Sequence, residues 1–169
     1  RLKDRLLGSP DLYKDSKKSS NKSINFITSH DGFTLHDLVS FNTKHNLSNG
    51  ESNRDGENNN NSYNYGLEGP STNEDINFIR NKQKRNLFST LLLANGIPMI
   101  LMGDEISRSQ GGNNNTWCQN NRLGWMPWEE SNIDKDLRDF VLKVISIRKK
   151  FPEFFSPISN INPINSSNK

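Results

Sequence analysis

"INFITSHDGF", residues 24–33, is the stretch that decides the fold of this 169-residue chain. Residues 24–28 are mostly apolar, β-branched or aromatic, which predicts a buried strand. His30 and Asp31 lie where that strand ends, and Gly32 behind them permits a tight exit. A single histidine is often structural, but the strand would fix the backbone of this pair and turn it toward a pocket. The stretch therefore predicts a functional site.

A second apolar run, "IPMILM" at residues 97–102, predicts a strand that is covered on both faces. It follows a predicted helix over residues 75–95, and Asp104 and Glu105 come after it. The last predicted helix spans residues 134–151. The alternation of strands and helices is typical of an α/β fold with a parallel sheet. In a (β/α)8 barrel, the chemistry lies at the C-terminal ends of such strands.

Long polar segments separate these elements. Residues 1–13 predict the end of a helix that breaks at Gly8, and residues 14–23 a polar linker. Residues 42–75 and 106–133 predict loops, rich in Asn and Gly. Loops of this length are uncommon in a compact domain unless they are functional or disordered.

The composition narrows the possible classes of function. Hydrophobic residues make up 31% of the chain, and the net charge is +3, with short basic runs interrupted by acidic residues. Nucleic-acid-binding proteins concentrate Lys and Arg on one face, so we do not expect nucleic acid as a partner. We do not expect a membrane partner either, because no run approaches the ~20 apolar residues of a membrane span. The single Cys118 excludes an intrachain disulfide and favours a reducing compartment, cytoplasm or plastid.

A second pair, His36-Asp37, lies in "FTLHDLVSF", which has the spacing of a short helix. Two His-Asp pairs are also found in divalent-metal phosphohydrolases, which need several ligands around the ion. Because His45 is the only other histidine, metal ligation is the weaker interpretation. We expect His36 and Asp37 to be surface or capping groups of the helix.

Asp104 and Glu105 form an acidic pair after the second strand. Paired carboxylates can divide the roles of acid and base. Adjacent residues at a strand end point in opposite directions, so these two cannot flank one bond. We expect Glu105 to be a buried anchor for loops.

Several motifs resemble a known family: "NFITSHDGF", "NGESNRDG", and "GDEISRSQGGNNN" followed by "TWCQNN". They are similar to motifs of the α-amylase superfamily (glycoside hydrolase family 13), in its branch of isoamylases and glycogen debranching enzymes. The resemblance implies a C-terminal fragment of a (β/α)8 TIM barrel, about the last two βα units. Residues 1–152 would belong to the catalytic barrel, and residues 153–169 would form a polar tail leading out of it.

The resemblance also implies an activity, the retaining hydrolysis of α-1,6 branch points in glycogen or starch-like glucan, with no cofactor. Asp31 would be the third active-site carboxylate, which stabilises the transition state by holding hydroxyls of the sugar, and His30 would bind the same sugar. Such hydrogen bonds lower the barrier where they tighten in the transition state. The family's nucleophile and general acid come from strands upstream of Arg1, so we expect this chain alone to be inactive.

Two other functions stay open, an α-1,4-acting amylase relative and a catalytically silent paralogue that binds glucan. The loop from Ser107 to Trp128 is predicted to stand beside the His30-Asp31 pair. We expect Trp125 and Trp128 to pack beneath this loop. We expect four residues of it to bind the glucan: Asn113, Asn114, Trp117 and Gln119.

The loop also departs from the family pattern. Asn120 stands where relatives carry Asp, Trp117 where they carry Tyr, and Trp125-Met126-Pro127-Trp128 where they carry W-x-D/N-W. These departures leave the details of the sugar subsites open.

Overall fold

Two short parallel strands pair in the computed structural model, which describes residues 2–13, 23–129 and 133–155. Strand β1 is Ile24–Asn25 and strand β2 is Ile97–Pro98, with Ile24 opposite Ile97. The predicted parallel pairing is confirmed. Both strands are shorter than predicted, at two residues each where the sequence predicted five and six.

The described residues contain four α-helices: α1 (Leu2–Leu6), α2 (Leu35–Leu38), α3 (Glu74–Leu93) and α4 (Lys135–Lys150). The two long helices confirm the predictions from apolar spacing. Each begins at a side-chain cap, since Asn73 accepts a hydrogen bond from the Ile76 amide at 3.1 Å, and Asp134 accepts one from the Leu137 amide at 2.9 Å. Short 3-10 turns lie at Leu47–Asn49, Asp104–Ile106 and Pro152–Phe155.

One apolar core joins α2, α3 and α4. Its buried members are Leu35, Phe88, Leu92, Leu137, Val141 and Val144. Ile27 and Ile100, which follow the two strands, pack against this cluster. Burial of a side chain of this size contributes roughly 1.5–3 kcal/mol. The core therefore fixes the segments that leave both strands, including the one that leads from β1 to α2.

The turn between α3 and β2 holds the two strands together. Gly96 has a φ of +108°, and a Cβ there would lie 2.6 Å from the carbonyl oxygen of Ser23, so only glycine fits. From α4, Arg148 donates to the carbonyls of Leu92 and Ala94 at 2.7 Å each, and to that of Gly96 at 2.5 Å. These bonds satisfy the last carbonyls of α3, as basic side chains often do at a helix C-terminus.

The ends of the chain agree with the predictions as far as they are described. Helix α1 ends before Gly8, which has a φ of +80°. Most of the predicted linker at residues 14–23, and of the predicted tail at residues 153–169, lies outside the described residues. The division of the chain after residue 152 therefore stays a prediction. No helix among the described residues is both long enough and apolar enough to span a membrane.

Candidate active site

His30 and Asp31 lie in the turn that follows β1, and both side chains are open to solvent, at 91% and 88% exposure. Nδ1 of His30 lies 2.8 Å from Oδ1 of Asp31. Gly32, with a φ of +104°, takes the chain out of the turn through a conformation that favours glycine. We name residues 28–35, which contain this pair, the His-Asp turn. The pair lies beyond the end of β1, which stops at Asn25, rather than directly at a strand end as predicted, and its role as a site stays a prediction.

The middle of the His-Asp turn is exposed, but the turn is held at three points, by two backbone amides and one side-chain hydroxyl. Asp104 is only 2% exposed. Its carboxylate accepts hydrogen bonds from the hydroxyl of Thr28 and, at 2.9 Å, from the amide of Leu35. Between these contacts, the amide of Gly32 donates to the carbonyl of Asn114 at 3.2 Å.

Burial of Asp104 raises the pKa of its carboxyl to about 6, although the hydrogen bonds from Leu35 and Thr28 act in the opposite direction. The prediction that Glu105 is the buried anchor is wrong. Glu105 is half-buried, and it accepts a hydrogen bond from the nearby Gly103 amide at 3.0 Å. Asp104 is the residue that connects two separate loops.

Asp37 is fully buried, so its predicted surface position is wrong. Its carboxylate accepts from the hydroxyl of Ser109 at 2.6 Å and from the amides of Gln110 and Gly112 at 2.8 and 3.3 Å. Burial raises the pKa of Asp37, against the effect of these hydrogen bonds. Helix α2 thus holds the loop that follows β2. In the sequence, the contact between Asp37 and this loop is indicated by the Gly111-Gly112 pair, because glycine has no side chain to block access to a backbone amide.

His36 also faces inward rather than lying at the surface. Its Nδ1 atom is buried and has no hydrogen-bond partner among the described residues. Burial, and then the positive charges of Lys84 and Arg80, lower the pKa of His36 to about 4, while Asp134 has the opposite effect. The imidazole is therefore neutral at pH 7.

An amide network joins the two long loops, and the predicted sugar-binding residues Asn113 and Asn114 belong to it. Both are buried, at 1% and 2% exposure. The side chains of Asn114 and Asn46 are joined by a hydrogen bond of 2.8 Å, and the Asn113 amide donates to Asn49 at 2.8 Å. A Cβ on Gly56 would lie 2.2 Å from Oδ1 of Asn114, so the network also needs glycine there.

The side-chain amide of Gln119 donates within the same network, to Oδ1 of Asn49 at 2.8 Å and to the carbonyl of Ser48 at 3.0 Å. Buried amides need partners, and Asn113 and Asn114 find them inside the chain, as does the half-buried Gln119. Their predicted contact with substrate stays a prediction. The contacts shown are with the loops themselves.

All three tryptophans are exposed, at 68% for Trp117, 57% for Trp125 and 75% for Trp128. The prediction that Trp125 and Trp128 pack beneath the loop is wrong. Nε1 of Trp125 donates to Oδ1 of Asn120 at 3.1 Å, so the asparagine that departs from the family pattern has an acceptor role within the loop. Trp117 offers an open aromatic face, as its predicted role requires.

The first long loop is also ordered by charged residues that sequence reasoning did not identify. Arg80 of α3 is 3% exposed and donates to the carbonyls of Asn64, Leu67 and Gly69. Glu68 accepts hydrogen bonds from residues 42, 43, 45 and 64. Burial alone would raise the pKa of Glu68, but these bonds outweigh it and lower the pKa to about 2.

No group of three or more His, Cys, Asp or Glu that could hold a metal ion lies within residues 2–13, 23–129 and 133–155.

Comparison with known proteins gives a consistent result. The chain is 51% identical over 150 residues to the glycogen operon protein GlgX homolog of Mycobacterium tuberculosis, which covers 89% of this chain and 21% of that protein. It is 47% identical over 148 residues to the glycogen debranching enzyme of Pectobacterium atrosepticum, covering 88% of this chain and 22% of that protein. The chain thus spans about a fifth of the length of these relatives. No protein-family model matches it.

A solved structure shares the fold. The pullulanase from Bacillus acidopullulyticus superposes with a TM-score of 0.61 and 25% sequence identity, over 90% of this chain and 15% of that one. The likeness therefore covers nearly all of this chain and a small part of a much larger protein.

Proposed function

This chain is homologous to one segment of the bacterial glycogen debranching enzymes and GlgX homologues, and we propose that it supplies the last two βα units of a (β/α)8 catalytic barrel in such an enzyme. The complete enzyme would hydrolyse α-1,6 branch points of a glycogen-like glucan with retention of configuration. One observation carries this proposal: an exposed His-Asp pair in the turn that follows a parallel strand, with the turn held by a buried carboxylate and by a neighbouring loop.

Asp31 would act on the sugar at the cleavage point. A carboxylate has two oxygens that accept hydrogen bonds from neighbouring ring hydroxyls. As the ring flattens toward an oxocarbenium-like transition state, its hydroxyls move, and bonds that shorten in that state lower the barrier. His30, 2.8 Å from Asp31, would hold the carboxylate's orientation and contact the same sugar. The nucleophile and general acid would come from other parts of the polypeptide.

The rigidity of the turn supports this role. Hydrogen bonds to a transition state are effective when the groups that make them are already in place. Here the side chains of His30 and Asp31 are exposed, while backbone amides of the same turn donate to Asp104 and to the carbonyl of Asn114. A flexible surface turn would not combine these two properties.

Trp117 would extend the binding surface. Its ring is exposed and follows the amide network in the chain. A flat, partly polar side chain suits the apolar face of a pyranose ring, and the network fixes the loop from which this tryptophan projects. Substrate contact by Asn113, Asn114 and Gln119 would then be indirect, through the position of Trp117.

The test is Asp31→Asn in the complete protein that contains this chain. The substitution keeps the shape and removes the charge, so we expect kcat on branched glucan to fall by about 10³-fold or more, while glucan binding persists. Asp139→Asn, at an exposed position of α4, is the matched control and should retain normal turnover.

Two comparisons separate the other functions. Preference for linear over branched glucan in the parent protein would identify an α-1,4-acting relative. Binding without hydrolysis in the parent would identify a silent paralogue. Near-normal turnover in Asp31→Asn would contradict the role assigned to Asp31.

A further inference from the structure

The two ends of the His-Asp turn are fastened to one side chain. The hydroxyl of Thr28 donates to one carboxylate oxygen of Asp104, and the amide of Leu35 donates to the other at 2.9 Å. Asp31 lies between these attachment points. Asp104 begins a 3-10 turn six residues after β2, and the preceding Gly103 has a φ of +96° and no room for a Cβ beside Arg108.

We propose that Asp104 is the positioning residue of the active site, a buried clamp that sets the place of Asp31 relative to β2. This inference rests on the function proposed above. Asp104 does not touch the substrate, because it is 2% exposed and both of its oxygens accept hydrogen bonds from the turn. It acts through the backbone that carries Asp31.

The geometry distinguishes a clamp from an ordinary core residue. The contacts span 76 residues to Thr28 and 69 residues to Leu35, and they join the segments that follow two neighbouring parallel strands. The hydrogen bonds use both oxygens of an ionisable group, and charge-assisted bonds are shorter and stronger than neutral ones. A displacement of about 1 Å in a catalytic group can lower a rate by roughly 10²-fold.

Variants in the complete protein separate the two contacts. Asp104→Ala removes both acceptors, Asp104→Asn retains an acceptor for the Leu35 amide, and Thr28→Val removes only the hydroxyl. Glu105→Gln is the matched control, since this neighbour accepts only a local bond from Gly103 among its hydrogen bonds in the structure. We expect kcat on branched glucan to fall roughly 10–100-fold in Asp104→Ala, with a smaller change in KM, and to be largely restored in Asp104→Asn.

A double-mutant cycle with Asp31→Asn provides the decisive comparison. If Asp104 acts through Asp31, then Asp104→Ala should cause little further loss of kcat once Asp31 is asparagine. Full additivity of the two losses would overturn the proposal, because a general structural defect would add to the loss at Asp31. Wild-type kcat in Asp104→Ala would overturn it as well.

Hydrogen exchange of the backbone amides provides a test that does not depend on enzymatic activity. Exchange in residues 28–36 should accelerate in Asp104→Ala and not in Glu105→Gln. If the parent protein proves not to be a glycosidase, the proposed function fails, but this exchange result still decides whether the clamp exists. If Asp104→Ala does not fold, Thr28→Val replaces it, and unchanged kcat and unchanged exchange in that variant would overturn the proposal.

Discussion

Replacing His36 with asparagine tests the consequence of burying a histidine between two cationic side chains. Its Nδ1 atom has no partner among the described residues, and Lys84 and Arg80 contribute to the lowered pKa of about 4, with Asp134 opposing them. An unfolded histidine has a pKa of about 6.5. Between these two values, protons bind to the unfolded chain and not to the folded one. The stability due to neutral His36 is therefore complete above pH 6.5 and is lost as the pH falls toward 4.

The size of the effect follows from the two pKa values. A difference of about 2.5 pKa units corresponds to roughly 3 kcal/mol in full, and to about 2 kcal/mol of lost stability at pH 5 relative to pH 7.5. Asp104 has the opposite sign, since its pKa is raised to about 6 and protonation favours the folded state as the pH falls. The pH dependence of the unmodified protein contains both contributions. Only the difference between variant and parent isolates His36.

The assay is the thermal midpoint of the complete protein and of His36→Asn, each at pH 7.5 and pH 5.0. The stability of the variant relative to the parent should improve at pH 5.0 by about 2 kcal/mol, which raises its thermal midpoint relative to that of the parent. The same substitution at the exposed His30 controls for the removal of an imidazole from the surface. An identical change of midpoint with pH in parent and His36→Asn would refute the argument that burial keeps His36 neutral.

Two further predictions concern α3 and the tryptophans. The side chain of Lys84 is 2% exposed and donates to Ser107 at 2.5 Å and to Asp134 at 3.2 Å. Lys84→Met should therefore lower the free energy of unfolding by about 1.5–3 kcal/mol. An unchanged urea midpoint would contradict this. Trp117→Ala should raise KM for branched glucan on the order of tenfold, equivalent to about 1.4 kcal/mol, with little effect on the melting temperature. Trp128→Ala should change neither quantity much, because the ring is 75% exposed; an unchanged KM in Trp117→Ala would remove the loop from the binding surface.

The elements predicted well are those with local causes. Helices α3 and α4 were predicted from the recurrence of apolar residues, and their observed bounds differ by one or two residues at each end. The parallel pairing followed from the alternation of strands and helices. The lengths of the strands did not follow from the sequence. A strand extends only as far as its partner offers matching N–H and C=O groups, and these groups cannot be read from one strand alone.

The contacts that were missed connect residues far apart in the chain. Asp37 meets Gln110 across 73 residues, and Asn46 meets Asn114 across 68. From the sequence, Asp37 was expected to be a surface or capping group and Asn114 to bind the glucan, since an Asp on a short helix and an Asn in a polar loop are normally exposed. Only the tertiary fold shows that each has a partner. The place of His30 and Asp31 after the first strand could be predicted because it depends on a neighbouring element of the chain, whereas their role stays a prediction.

The buried carboxylates at Asp37 and Asp104 show what the fold gains from these contacts. Burial raises the pKa of both, so their charged forms are less stable in the folded protein than in water. For stability alone, an apolar side chain of similar volume is often as good or better than a buried charge. A carboxylate can do what an apolar group cannot, which is to accept several directed hydrogen bonds at once. Asp104 uses this to hold the His-Asp turn, and Asp37 uses it to hold the loop from Ser109 to Gly112. Both carboxylates thus define a loop geometry at the expense of their own desolvation, which is what the proposed role of the exposed His30-Asp31 pair requires.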